Sequence, residues 1–190
     1  MSELFENTTA AMVFAFRYSA QQYALSPVAK MMKTGIVGSG KGLVSLDGAA
    51  QAGMIRRELD QLTALQRACI AARYANRYED CKCCGSLKPT EEYSQAIAVL
   101  SDWATSQFTG LSVRGIRHAI IQSYYEKGVS VGKVADRLNV ARRTAYDQKA
   151  KVWAALKRLD LEAQSRAGEL LDHLCGFDQK HACDAQTCAV

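Results

Sequence analysis

Apolar residues recur at helical spacing along most of this chain, and few stretches alternate as a strand would. Met12, Phe16, Ser19 and Tyr23 share one face of residues 8–25 and predict an amphipathic helix. Residues 33–48 hold Gly35, Gly38, Gly40, Gly42 and Gly48 and read as a loop. Ile55, Leu59, Leu62, Leu65, Cys69 and Ile70 predict one long helix over Met54–Tyr78, and Cys81–Pro89 breaks the pattern. Thr90 and the two glutamates after it open a further helix, whose stripe is Ile97, Leu100, Ala104 and Phe108, with Val99 and Trp103 alongside. Thr109–Ser112 is a link.

Two helices close to one another follow. Val131, Val134, Ala135 and Leu138 give the first its buried stripe, and Ala145, Val152, Leu156 and Leu159 serve the second. Asn139, between them, tolerates the left-handed conformation of a sharp turn, and Val140 is placed to plug the angle. The second helix either runs on or breaks near Asp160, before a stretch with Leu170, Leu171 and Leu174; residues 176–190 read as a tail. The expected fold is all-α. It divides into a helix and glycine-rich loop (1–50), a helical body with a cysteine knuckle (51–110), a helix-turn-helix module (111–160), and a C-terminal helix with a Cys/His tail (161–190).

That module carries a resemblance. Val134-Ala135, Leu138-Asn139-Val140 and Arg142-Arg143-Thr144-Ala145-Tyr146 resemble the helix-turn-helix signature of sigma-factor region four and its phage-encoded relatives, over residues 112–160. Asn139 stands where that pattern has Gly, and Ala141 where it has a capping Ser or Thr, a cap worth ~1 kcal/mol. The resemblance implies that the start of the second helix enters the major groove of DNA. The candidate DNA-binding residues are Lys133, Arg142, Arg143, Thr144, Tyr146, Gln148, Lys149 and Lys151. Arginine forks match the O6 and N7 edge of guanine, Gln148 offers a further base contact, and Lys133, Lys149 and Lys151 suit phosphates.

Charge agrees with this. Nine Lys and Arg against two Asp lie between residues 127 and 158, whereas the whole chain is only +5, so the remainder is net negative. Such concentration is the footprint of phosphate binding. With 190 residues, 48% apolar, the chain can bury a sizeable core. Glu3 and Glu6 precede the short apolar run Ala10–Phe16, so neither signal peptide nor membrane span is expected, and the location expected is the cytoplasm of a bacterial host.

Two motifs suggest chemistry. Gly35–Lys41 fits G-x-x-x-x-G-K, but Gly42 replaces the hydroxyl that would ligate magnesium, and neither strand nor helix flanks it, so nucleotide hydrolysis is not expected. Of seven cysteines, Cys81 and Cys84 have C-x-x-C spacing, with Cys83 as a third thiol and Gly85 next. Zinc on Cys81, Cys83 and Cys84 needs a fourth ligand, and His173, Cys175, His181, Cys183 and Cys188 are the distant candidates. Cys69, on an apolar stripe, reads as core. His118 shows no catalytic spacing, and no enzyme activity is expected.

The function expected is that of a sequence-specific DNA-binding transcription regulator. With its knuckle and helical body it is similar to phage late-gene antiterminators, which implies RNA polymerase as a partner, with contacts from Leu59–Ile70 and Ile97–Phe108. The cysteine spacing departs from the paired C-x-x-C knuckles of that family. The alternatives are a dimeric helix-turn-helix repressor or activator, which makes the chain a homo-oligomer, and a small terminase-like DNA-recognition subunit.

Overall fold

A computed structural model describes residues 5–24, 45–81 and 83–175. Among these, helices dominate, and the two strands form one small antiparallel pair. In chain order the elements are α1 (Thr8–Ala24), α2 (Ser45–Leu59), α3 (Ala64–Tyr74), β1 (Tyr78–Asp80), β2 (Leu87–Pro89), α4 (Glu91–Gln107), α5 (Arg114–Tyr125), α6 (Val131–Arg137) and α7 (Arg142–Cys175). The expectation of a mainly helical protein holds, with the hairpin as an addition. No helix among the described residues is long and apolar enough to cross a membrane.

The long helix expected over Met54–Tyr78 is two helices. Thr63 is the reason: its hydroxyl accepts from the Gln66 amide at 3.3 Å, and the Gln66 side chain accepts from the Thr63 amide at 3.2 Å. This reciprocal capping box starts α3 afresh, and the turn at 60–63 still buries Leu62. α2 begins at Ser45, inside the stretch expected to be loop, so the fifteen-residue helix takes in Gly48. Thr90 caps α4 as its sequence suggests, accepting from the Tyr93 amide.

α7 is the spine. It runs unbroken for 34 residues, about 50 Å, and the expected boundary at 160/161 falls in its interior. Its N-terminal half packs on α5 and α6, while further along it meets α1, α2 and α3. Ala145, Val152, Leu156, Ala163, Ala167 and Leu171 line its buried side and join Ile70, Ile97, Leu100, Ile116 and Ile120 in one core. Cys69 lies in that core, fully buried, and burial pushes its thiol up to about 12.

Asp160 shows why the spine does not break there. Only 2% exposed, it accepts from Arg73 Nε at 3.2 Å and from Arg73 Nη2, from Gln164 Nε2 at 2.9 Å and from Tyr124 Oη at 3.4 Å. A buried carboxylate is costly unless paired and hydrogen-bonded, and here four donor contacts satisfy it. The cluster joins α3, α5 and α7.

Candidate functional site

The two helices α6 and α7 meet at a four-residue connection, Leu138–Ala141. Ser130 starts α6, its hydroxyl accepting from the Lys133 amide at 3.4 Å. Asn139 then takes the left-handed conformation at φ 53°, the only non-glycine among the described residues to do so. Val140 turns back, its amide donating to the Ala135 carbonyl at 2.9 Å and its side chain packing against the core. The Ala141 carbonyl receives the first helical bond, from the Ala145 amide at 3.0 Å. No side-chain oxygen is present at Ala141 to cap the amides that follow.

Small residues bring the helices together. Ala135 and Ala145 are both fully buried. Gly132 lies under the Tyr146 ring, where an added Cβ would sit 3.1 Å from the hydroxyl. Leu138, expected in the buried stripe, is instead 39% exposed, with its side chain lying over Gly115 of α5. As the last residue before the left-handed turn, it has already left the buried face of α6.

The eight candidate DNA-contacting residues fall into two groups. Lys133, Arg143, Thr144 and Lys151 are exposed and make no ion pair or side-chain hydrogen bond among the described residues. The other four are engaged within the protein. Arg142 spans the turn to Asp136, with Nε 2.7 Å from Oδ1 and Nη2 on Oδ2, and this guanidinium holds the Asp136 carboxyl below its ordinary range. Gln148 donates to the Gly110 carbonyl at 2.7 Å, tying α7 to the link before α5. Lys149 places its ammonium 4.2 Å from the Trp153 ring centroid and 5.8 Å from that of Tyr146. Tyr146 is 49% exposed and lies over Gly132.

Sequence reasoning missed Asp136 as the partner of Arg142, although an acid and a base flanking so short a turn is a usable signal. It had no signal for the Gln148–Gly110 tie, which joins residues far apart in the chain. Arg117 does similar work at the same link, donating to the Leu111 and Ser112 carbonyls and, at 3.2 Å, to Ser101 Oγ. Asp147 was also passed over. It is exposed one turn beyond Arg143 and carries no ion pair among the described residues.

The cysteines occupy the tip of the β1–β2 hairpin. Register pairs Tyr78 with Pro89, Glu79 with Lys88 and Asp80 with Leu87. The Cys81 amide donates to the Ser86 carbonyl and the Gly85 amide to the Cys81 carbonyl, each at 2.8 Å, and Gly85 closes the tip at φ 68°. The Sγ atoms of Cys81, Cys83 and Cys84 lie within 4.8 Å of one another, so the cluster could hold a metal ion. Cys81 and Cys83 are 2.9 Å apart, and Cys84 contacts Ser86 Oγ at 3.0 Å. Hydrogen bonds from Cys83 lower the Cys81 thiol to about 7, towards the thiolate a metal needs. No His, Asp or Glu among the described residues joins the three.

All six strand residues are exposed, so the hairpin depends on its base. There Arg77 Nη2 donates to the Tyr125 carbonyl at 2.7 Å, and the Tyr78 hydroxyl donates to the Glu126 carboxylate at 2.9 Å. Both anchors grip the end of α5 just before α6. Gly35–Gly42 lies outside the described residues, as do His181, Cys183, Cys188 and the side chains of His173 and Cys175.

No protein-family model, no curated protein and no solved structure matches this chain.

Proposed function

We propose that the protein is a sequence-specific DNA-binding transcription regulator, reading duplex DNA through a helix-turn-helix made of α6, the 138–141 turn and the first turns of α7. One observation carries the reading: across a left-handed turn α6 packs on α7 with Ala135 and Ala145 buried, and Lys133, Arg143, Thr144 and Lys151 stay exposed and unpaired among the described residues. In helix-turn-helix proteins the start of the second helix contacts base edges. An unpaired arginine and lysines there cost no internal ion pair when they turn to DNA. Arg142 and Lys149, already held, preset the geometry and remain near enough to meet phosphates.

Zinc belongs to the same reading. The three thiols fit a soft or borderline metal, because they crowd one tip and two backbone hydrogen bonds preset the loop. Bound there, the ion would crosslink a hairpin that has no core of its own. The fourth ligand would come from outside the hairpin.

The test is selection of genomic fragments by the purified protein, with and without host RNA polymerase. A discrete site bound by the protein alone is the expected result, and a palindromic site would make the protein a dimeric repressor or activator. Enrichment of a promoter-proximal region only with polymerase would specify an antiterminator. No enrichment in either arm would overturn the proposal.

A further inference from the structure

The outward side of α7 carries one residue that a phosphate-binding surface should not have. Opposite the buried Ala145, Val152 and Leu156, the exposed face presents Arg143, Asp147 and Lys151 at four-residue steps. An acid amid these bases repels the DNA backbone. Helices commonly hold such an acid in i,i+4 ion pairs. Here Asp147 lies one turn from both Arg143 and Lys151, yet pairs with neither, while Arg142 and Asp136 do pair across the turn. The carboxylate is therefore a free acceptor at the centre of the face.

We infer that Asp147 is a specificity-determining residue that accepts from the exocyclic amine of cytosine, beside a guanine read by Arg143. The inference rests on the DNA-reading assignment above and sharpens its ligand to G·C-containing duplex. In the major groove the cytosine N4 amine is the donor that a carboxylate can accept from, while guanine O6 and N7 match an arginine fork. Arg143 and Asp147 are about 6 Å apart along the helix, and successive base pairs rise about 3.4 Å. The guanine and the cytosine therefore fall within two base pairs of one another. Asp147 also excludes wrong sequences, since thymine O4 or guanine O6 would face a carboxylate with no proton to share. Gln148 is tied to Gly110 and Arg142 to Asp136, so Arg143 and Asp147, with Thr144 and Lys151 beside them, are the free groups of this face.

Selection from a randomised duplex pool tests this, using the full chain and its Arg143→Ala, Asp147→Ala and Asp147→Asn variants. Melting curves of the variants should match the parent, because both residues are exposed and unpaired. The parent should enrich a motif with guanine and cytosine preferences no more than two base pairs apart. Arg143→Ala should abolish the guanine preference. Asp147→Ala should abolish the cytosine preference, about tenfold or more, and should tighten binding to random duplex as a repulsive charge is lost. Asp147→Asn should move the preference from cytosine towards adenine, which offers an acceptor and a donor to an amide. A parent motif that survives unchanged in both Asp147 variants would overturn the inference while leaving DNA reading intact. A parent that enriches no duplex would overturn both.

Discussion

The face formed by α6 and α7 and the cysteine hairpin are both small, exposed and rich in candidate ligands, but they are held in opposite ways. Each exposed side chain of the α6–α7 face stands on a helix whose other side is buried. Ala135, Ala145, Val152 and Leu156 anchor it in the core of the whole protein. The hairpin exposes every strand residue and keeps its place through anchors at its base. A surface backed by a core keeps its geometry unaided, as the proposed sequence-reading role would require. A two-stranded hairpin is marginal by itself, so a ligand at its tip becomes part of its stability. On the proposed reading the first is preorganised, and the second would be completed by a metal ion.

The contrast can be broken most severely at Asp160. Asp160→Ala should destabilise the protein by about 2–3 kcal/mol in urea unfolding, below the full cost of breaking a buried pair because Arg73 can reach water. The loss should be global and cooperative, since the Asp160 cluster joins α3, α5 and α7. A local effect confined to the C-terminal half of α7 would mean that the spine is not what supports the α6–α7 face.

A smaller and more local effect is expected at the hairpin. Adding a strong chelator, or making Cys84→Ser, should speed hydrogen exchange at the Cys81 and Gly85 amides and along the β1–β2 ladder. Exchange in α6 and the first turns of α7 should stay slow. Uniform acceleration through both regions would erase the distinction, and no change at the hairpin would leave the thiols without a structural ion.

The smallest change is expected for Arg142→Ala. Exposed ion pairs add little to stability, so the urea unfolding midpoint should stay close to that of the parent. DNA affinity should fall across all sequences alike, because the Arg142–Asp136 pair positions the face. A loss confined to one base position would make Arg142 a base reader, and Arg143 would lose its unique place.

How much of this was legible in the sequence follows from the range of the interactions involved. The stripes of α4 and α7, that of α6 apart from Leu138, the left-handed Asn139 and the burial of Cys69 depend on neighbours within a few residues, which periodicity and residue type expose. The split between α2 and α3 was local as well, but Thr63 and Gln66 lay inside an uninterrupted apolar pattern that hid the capping box. The length of α7 was not legible. Asp160 looks like a helix breaker until Arg73, far away in the chain, is seen to pair with it. At 78–89 the helix break and the cysteine knuckle are legible but the strands are not, since three-residue strands without an apolar face leave no periodic trace. At the candidate site the residue types were legible, but not their division into held and free side chains. That division depends on Asp136 and Gly110, which approach Arg142 and Gln148 only once α5, α6 and α7 are packed.

Amide chemical-shift mapping of the isotopically labelled protein during titration with duplex DNA tests the central claim most directly. The account predicts that the largest shifts cluster over residues 130–151, with Lys133, Arg143, Thr144, Asp147 and Lys151 prominent, and that they weaken as salt is raised. Shifts centred on the β1–β2 hairpin or on α1 and α2, or no shifts at low salt, would contradict it.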